Sequence, residues 1–433
     1  MNPRILHAAD SVALRTGWLG RPFSAERLMA AACRKSGLAD FGPEPIEEPL
    51  AQLVDACVAE AALGVVGRLA LRWDVLRFLT NLLYLNDAER QQPEIATEPV
   101  VAPIFITGLP RSGTTFLHQM MLCDPANRAP LVFETIYPVP GRPASAQRET
   151  RVAKQLRMFE RLAPEFRALH RLSARSPQEC TEILAHTFRS LRFDTTYRIP
   201  AYRRWLEADA ARHLPAYRMH KRFLQHLQHM SGEGGRRRWV LKCPDHLFAL
   251  AALRRVYPDA RIVFVHRDPL KVLLSVATLT EVLRRPFSRS VDPIEIGRTE
   301  SERWLEGAAR MMAEHRESEA ADSICHVHYL DLVADPAAAV AALYRHFGLV
   351  LPKAAAEAIR SADAAQPGGG YGPRRYRFAE HGLDAAAERE KFRPYMLHFG
   401  VTPESVEAAE MPRPRSLPGL GAAAAQPARG LPG

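Results

Sequence analysis

PIFITGLPRSGTTFLHQMML, from Pro103 to Leu122, decides the fold class. Ile104 to Thr107 is a short apolar, β-branched run of the kind that fills a buried parallel strand. Gly108 to Thr115 follows as GLPRSGTT, and Phe116, Leu117, Met120 and Met121 then recur at helical spacing. Strand, glycine loop and helix make a cradle for an anion. The first N–H groups of a helix lack intrahelical partners and carry partial positive charge. A mere tight turn would require neither the strand before it nor the helix after it. Gly108 and Gly113 are spaced as in a GxxxxGK[ST] loop, but Thr114 stands at the lysine position. Without that lysine the loop is poorly matched to a triphosphate. Arg111 brings instead a planar fork suited to phosphate or sulfate oxygens.

Around this stretch lie 433 residues, enough for one α/β domain with helical additions or for two domains. A hydrophobic content of 47% with 24% charged residues is that of a globular protein, and a net charge of +10 favours anionic ligands. The densest basic run, Arg236-Arg237-Arg238, has no interleaved aromatics and precedes an apolar run, so it reads as a solvated strand entrance and no nucleic-acid partner is expected. Six scattered cysteines form no CxxC pair, which argues against a zinc site or a disulfide framework. The N-terminus has no apolar core of signal-peptide type. The longest apolar stretch, Ala61 to Leu71, is broken by Arg68, so no transmembrane segment and a cytoplasmic enzyme are expected.

Residues 1–95 read as a helical layer or lid, with Ser24 capping one helix and an apolar face through Leu69, Trp73, Leu76, Phe78, Leu79, Leu82 and Leu83. A main α/β domain is expected over 96–405. Prolines punctuate a loop after the first helix, and residues 146–230 form a long helical insertion that builds a substrate pocket. Strands are then expected at Trp239–Leu241, Arg261–His266 and Ile324–Tyr329, alternating with helices at 246–256, from Pro269, at 336–347 and at 384–398. Such alternation implies a parallel sheet flanked by helices, with ligands at the carboxyl ends of the strands. Gly108, Lys242, Arg267 and Tyr329 all fall at such ends. Gly368-Gly369-Gly370 marks a flexible loop, and 411–433 reads as a disordered Pro/Ala/Gly-rich tail.

Lys242, at a strand end beside the loop, is placed for a phosphate or a leaving group; an isolated lysine would be solvated. Arg267 and Ser275, eight residues apart across a helix start, can clamp a second phosphate; the bland alternative is an Arg267–Asp268 surface pair. Glu134 can return to the cleft as a general base. Glu179, Glu182 and His186, at i, i+3 and i+7 of an expected helix over 179–191, are alternatives, although a polar helix face explains them as well. The triplet His266-Arg267-Asp268 is not a kinase catalytic loop, since no GxGxxG, VAIK-like strand or DFG accompanies it.

PIFITGLPRSGTTFL, WVLKCPDH, RIVFVHRDPLKVLLSV and HVHYLDLVADP, in that order, resemble the bacterial soluble branch of the sulfotransferase family, roughly from residue 20 to 400. The resemblance implies a P-loop-like α/β fold and 3′-phosphoadenosine 5′-phosphosulfate as donor. It implies that Arg111, Ser112, Gly113, Thr114 and Thr115 hold the 5′-phosphosulfate, with Arg111 also catalytic. Arg267 and Ser275 would hold the 3′-phosphate, Lys242 would assist the leaving phosphate, and Tyr329 would lie near the nucleotide. Glu134 would be the base. Cys243 stands where the family has Ser or Thr, and Arg374, Arg375 and Arg377 compete for its C-terminal basic contact, Arg375 being the one expected. Sulfuryl transfer moves a less charged group than phosphoryl transfer, so no metal is required. The competing readings are a P-loop kinase or NTPase, with only Asp268 to hold magnesium, and a non-catalytic nucleotide-binding protein. The aromatic residues Phe159, Phe166, Phe188, Phe193, Tyr197, Tyr202 and Trp205 point to a lipid-like alcohol as acceptor, or equally to a structural core.

Overall fold

A computed structural model describes residues 10–17, 23–142, 147–166, 172–232, 234–317, 324–365 and 378–405. Its layering follows from the alternation along β1 (Ile104–Gly108). Ile104 and Ile106 face one side with Val240, Val263, Val265, Cys325 and Val327. Phe105 faces the other with Trp239, Leu241, Ile262, Phe264 and Ile324. Both faces are therefore buried, as a parallel sheet requires. The other strands are β2 (Asn127–Arg128), β3 (Arg238–Lys242), β4 (Arg261–His266) and β5 (Ile324–His328). Their order is β2-β3-β1-β4-β5 and every pairing is parallel. The short edge strand β2 lies in a stretch that the prolines mark as loop. In register, Ile106 lies opposite Lys242 and Gly108 opposite Val265, so the end of β1 sits between the ends of β3 and β4.

The helices, in chain order, are α1 (Ala25–Ser36), α2 (Glu47–Glu60), α3 (Val65–Gln91), α4 (Thr114–Met121), α5 (Val132–Ile136), α6 (Arg148–Leu162), α7 (Cys180–Leu184), α8 (Arg192–Thr196), α9 (Pro200–Glu207), α10 (Leu214–Ser231), α11 (Leu250–Val256), α12 (Pro269–Arg284), α13 (Pro293–Glu317), α14 (Tyr329–Ala334), α15 (Pro336–His346), α16 (Lys353–Ala365) and α17 (Ala385–Phe399). Residues of α4, α14, α15 and α16 cover the Ile104 face, while residues of α1–α3, α7–α11, α13 and α17 share the core on the Phe105 face. Ser24 caps α1, its Oγ accepting from Arg27 N at 3.4 Å. On α3, Phe78, Leu79, Leu82 and Leu83 are buried, but Leu69 and Trp73 are exposed. Trp73 instead lies against the Arg77 guanidinium, 5.2 Å from its ring centroid.

One expectation for the insertion changes, and one open alternative is decided. No single helix spans 179–191: α7 ends at Leu184, a 3₁₀ turn follows, and Phe188 sits in the left-handed region at φ 55°. The chain turns there because Phe188 is fully buried and the Tyr202 hydroxyl donates to Phe188 O at 2.7 Å while accepting from Ser190 N at 3.1 Å. Second, Phe188, Phe193, Tyr197 and Tyr202 are packed inside the main core, so those aromatics are structural and do not form an acceptor wall. The expected glycine-rich loop, the C-terminal arginines Arg374, Arg375 and Arg377, and the 411–433 tail lie outside the described residues.

Candidate active site

The loop after β1 is shaped by close approaches. A Cβ on Gly108, at φ 140°, would fall 2.4 Å from Val265 O of the neighbouring strand, so only glycine lets β1 and β4 pair to their ends. Gly113, at φ 100°, opens α4, and a Cβ there would fall 2.7 Å from Tyr329 Cδ2. Between them Arg111 adopts φ 62°, a conformation costing a non-glycine residue about 1–3 kcal/mol. Contacts on both sides of that residue hold it: Arg111 Nε donates to Ser275 Oγ at 2.9 Å, and Arg267 Nη1 donates to Arg111 O at 3.0 Å. The Ser112 hydroxyl is fully buried and has no hydrogen-bond partner among the described residues. A buried hydroxyl without a partner costs roughly 1–3 kcal/mol, so this one is open to a water or a ligand oxygen.

Two cations flank this loop. Arg267 follows β4, and its guanidinium lies over the Tyr329 ring, 3.8 Å from the centroid. Its Nε and Nη2 donate to the two carboxylate oxygens of Glu404 at 2.9 and 3.0 Å. Lys242 ends β3 with its side chain almost entirely buried, and its Nζ forms an ion pair with Glu179. A buried ammonium requires such a partner. Cys243 follows, fully buried, and burial pushes its thiol well above the ordinary range. Arg111, Ser112, Gly113, Arg267, Ser275 and Tyr329 are thus brought together at the carboxyl ends of β1 and β4, and Lys242 stands on the β3 side of β1.

The candidate bases separate clearly. Leu131 and Pro177 form an antiparallel bridge, and Gln178 N donates to Pro130 O at 2.8 Å. This ties the segment carrying Glu134 to the one carrying Glu179. Glu134 Oε2 accepts from Leu131 N at 2.8 Å and so closes the first turn of α5. Glu179 lies in extended backbone just ahead of α7, about a quarter exposed, against Lys242. Glu182 is buried against Arg77 at 2.6 Å and Arg192 at 3.3 Å, and Asp74 pairs with both arginines at 2.6 Å. His186 is fully buried: Asn81 Nδ2 lies 3.1 Å from its Nε2, Ile183 O lies 3.1 Å from its Nδ1, and burial first, then Arg77, brings its pKa down to about 3. Glu182 and His186 belong to the core. Asp268, the magnesium candidate of the kinase reading, caps α12 through Leu270 N at 2.9 Å and also accepts from Arg389 at 3.2 Å and from Glu404 N at 2.7 Å.

The Lys242–Glu179 pair and the Glu404 contact escape a reading of the sequence. The Pro177 turn hints that Glu179 leaves the helix, but nothing local marks Glu404, because Arg267 is 137 residues away in the chain.

Comparison with known proteins concerns the family and the fold. The profile of the sulfotransferase family matches residues 103–353. The omega-hydroxy-beta-dihydromenaquinone-9 sulfotransferase Stf3 of Mycobacterium tuberculosis, and that of Mycobacterium bovis, is 28% identical over 271 residues, covering 58% of this chain and 64% of the relative. The match thus spans less than two thirds of those relatives' length. The crystal structure of sulfotransferase STF1 from Mycobacterium tuberculosis superposes with a TM-score of 0.75 at 30% identity, over 86% of this chain and 99% of that one. For STF9 from Mycobacterium avium the values are 0.74 and 26%, over 88% and 98%. With a family profile that covers more than half of the chain and a fold that superposes on solved sulfotransferases, the chain belongs to the sulfotransferase family.

Proposed function

We propose that the protein transfers a sulfuryl group from 3′-phosphoadenosine 5′-phosphosulfate to the hydroxyl of a lipid-like alcohol. The observation that carries this reading is the meeting of two anion-binding sets at the ends of adjacent strands. One is the loop Arg111–Thr115 with the unpartnered Ser112 hydroxyl; the other is Arg267 with Ser275 and Tyr329. A donor bearing phosphates at both ends fits two such sets, and it supplies an activated sulfuryl group. The α4 N-terminus and Arg111 hold the phosphosulfate end, while Arg267 and Ser275 hold the 3′-phosphate. Lys242, next along the sheet, neutralises the charge that gathers on the leaving phosphate.

The proton goes to a glutamate. Glu179 suits this role better than Glu134, because Glu179 already faces Lys242 whereas the Glu134 carboxylate closes its own helix. As Lys242 turns toward the leaving phosphate, Glu179 is left as a carboxylate ready to accept the acceptor's proton during in-line attack. The lipid-like acceptor rests on the relatives, whose name is that of a hydroxylated menaquinone sulfotransferase. An acceptor screen should show transfer to hydroxylated isoprenoids; transfer to polar sugars alone would exclude a lipid acceptor.

Calorimetry with adenosine 3′,5′-bisphosphate tests the donor site. Binding should need no magnesium, exceed that of magnesium-ATP, and weaken about tenfold to a hundredfold in Arg267→Ala, the loss of a charged bidentate contact. Preference for magnesium-ATP would favour the kinase reading.

A further inference from the structure

Resting on that reading of the donor site, we infer that Glu404 is a carboxylate stand-in for the 3′-phosphate, which the nucleotide displaces on binding and which returns to eject it. The guanidinium of Arg267 is used on every side. Its face lies on Tyr329, Nη1 donates to Arg111 O, and the Nε/Nη2 edge carries Glu404 in a bidentate pair. That edge is the one a phosphate uses for fork binding, and two anions cannot share it. Arg267 and Glu404 are both largely shielded from water, with side chains 20% and 15% exposed, so the pair is more than a solvated surface contact.

The segment that delivers Glu404 is built to reach this spot and to leave it. Gly400, at φ 62°, ends α17 in the left-handed region, and Val401 N returns to Met396 O at 2.8 Å. The chain then runs back across the end of β4, and Glu404 N donates to Asp268 Oδ2 at 2.7 Å. Beside it is a cavity of about 340 Å³, lined by His328, Tyr329, Asp331, Thr402 and Glu404 among others. The carboxylate thus has space to swing aside without unfolding α17, while the backbone bond to Asp268 keeps it close. Glu404 carries one negative charge and a 3′-phosphate carries more, so the exchange favours the nucleotide but lowers its net affinity. The same contact lowers the barrier to product loss, because the fork is never left without an anion.

The test is calorimetric titration of the full chain and of Glu404→Gln, Glu404→Ala and Arg267→Ala with adenosine 3′,5′-bisphosphate. Adenosine 5′-monophosphate, which lacks the 3′-phosphate, is the comparison. Both Glu404 variants should bind the bisphosphate about threefold to tenfold more tightly. Their affinity for the monophosphate should be unchanged. A gain of affinity is not what damage to the fold produces, and the two substitutions guard against an effect peculiar to one of them. Unchanged or weaker bisphosphate binding in both, beside a weakened Arg267→Ala, overturns the stand-in role alone. If Arg267→Ala binds as well as the unaltered chain, the donor-site reading falls and this inference falls with it.

Discussion

Glu179→Gln is expected to lower the turnover of sulfuryl transfer about 10²- to 10⁴-fold, the usual contribution of a positioned base. Glutamine keeps the size of the side chain and can still accept from Lys242 Nζ, but it cannot take up a proton. The loss should therefore fall on kcat, with the affinity for adenosine 3′,5′-bisphosphate changed little, because the proposed donor contacts lie around Arg111 and Arg267. Glu134→Gln makes the decisive comparison. Its carboxylate accepts from Leu131 N, a bond that the amide oxygen preserves, so turnover should stay within a few-fold. The reverse ranking would assign the base to Glu134. Thermal melts belong beside the kinetics, since Glu179→Gln leaves the buried Lys242 without its counter-charge. A variant that melts normally and does not turn over separates chemistry from folding.

Mild acid is expected to unfold the protein cooperatively. His118, His186, His213, His220 and His226 are each at most 5% exposed. Burial, the largest cause in every case, lowers them to about 4, 3, 4, 3 and 4 respectively. The folded chain keeps these rings neutral, whereas the unfolded chain protonates them near pH 6.5. Stability is therefore complete above about pH 6.5 and is lost as the pH falls toward 4, by up to about 1.4 kcal/mol per pH unit for each ring. Five such rings acting together would exhaust a typical domain stability of 5–15 kcal/mol within about two pH units. Melting temperatures from pH 8 to pH 4.5 should be level at first and then drop steeply below pH 6. A melting temperature that holds steady down to pH 5 would show that the rings gain protons without opening the fold.

The layered sheet was legible because its signals are local. Apolar β-branched strands, the glycine loop and Pro269 at the start of α12 each declare themselves within a few residues, and the structure repeats them in the same order. In the candidate site, the positions of residues at or just after strand ends were legible, as with Lys242 and Arg267. Partners that meet through long loops were not legible: Glu179 is 63 residues from Lys242, and Glu404 is 137 from Arg267. Helical spacing misled at Glu179, Glu182 and His186, because the buried Phe188 and its Tyr202 partner turn the chain where polar periodicity would continue it. The aromatic residues of the insertion left two readings open for a related reason. Composition shows that large rings are present, but whether they face a ligand or one another depends on tertiary packing.

The placement of β1 in the middle of the sheet has a consequence for how the chain is made. β1 is complete at Gly108, but its two neighbours begin only at Arg238 and Arg261. At a synthesis rate of about 5–20 residues per second, the strand leaves the ribosome on the order of ten seconds before either neighbour exists. During that interval Ile104, Phe105 and Ile106 form an apolar segment with both edges unpaired, the kind that recruits other chains. Helices α1 to α3 are synthesised before it and pack against one another, but the rings that lie against Phe105 in the finished core, His220, His246 and Tyr257, all come later in the chain. The nascent central strand therefore waits both for its edge partners and for the side chains that will cover its Phe105 face.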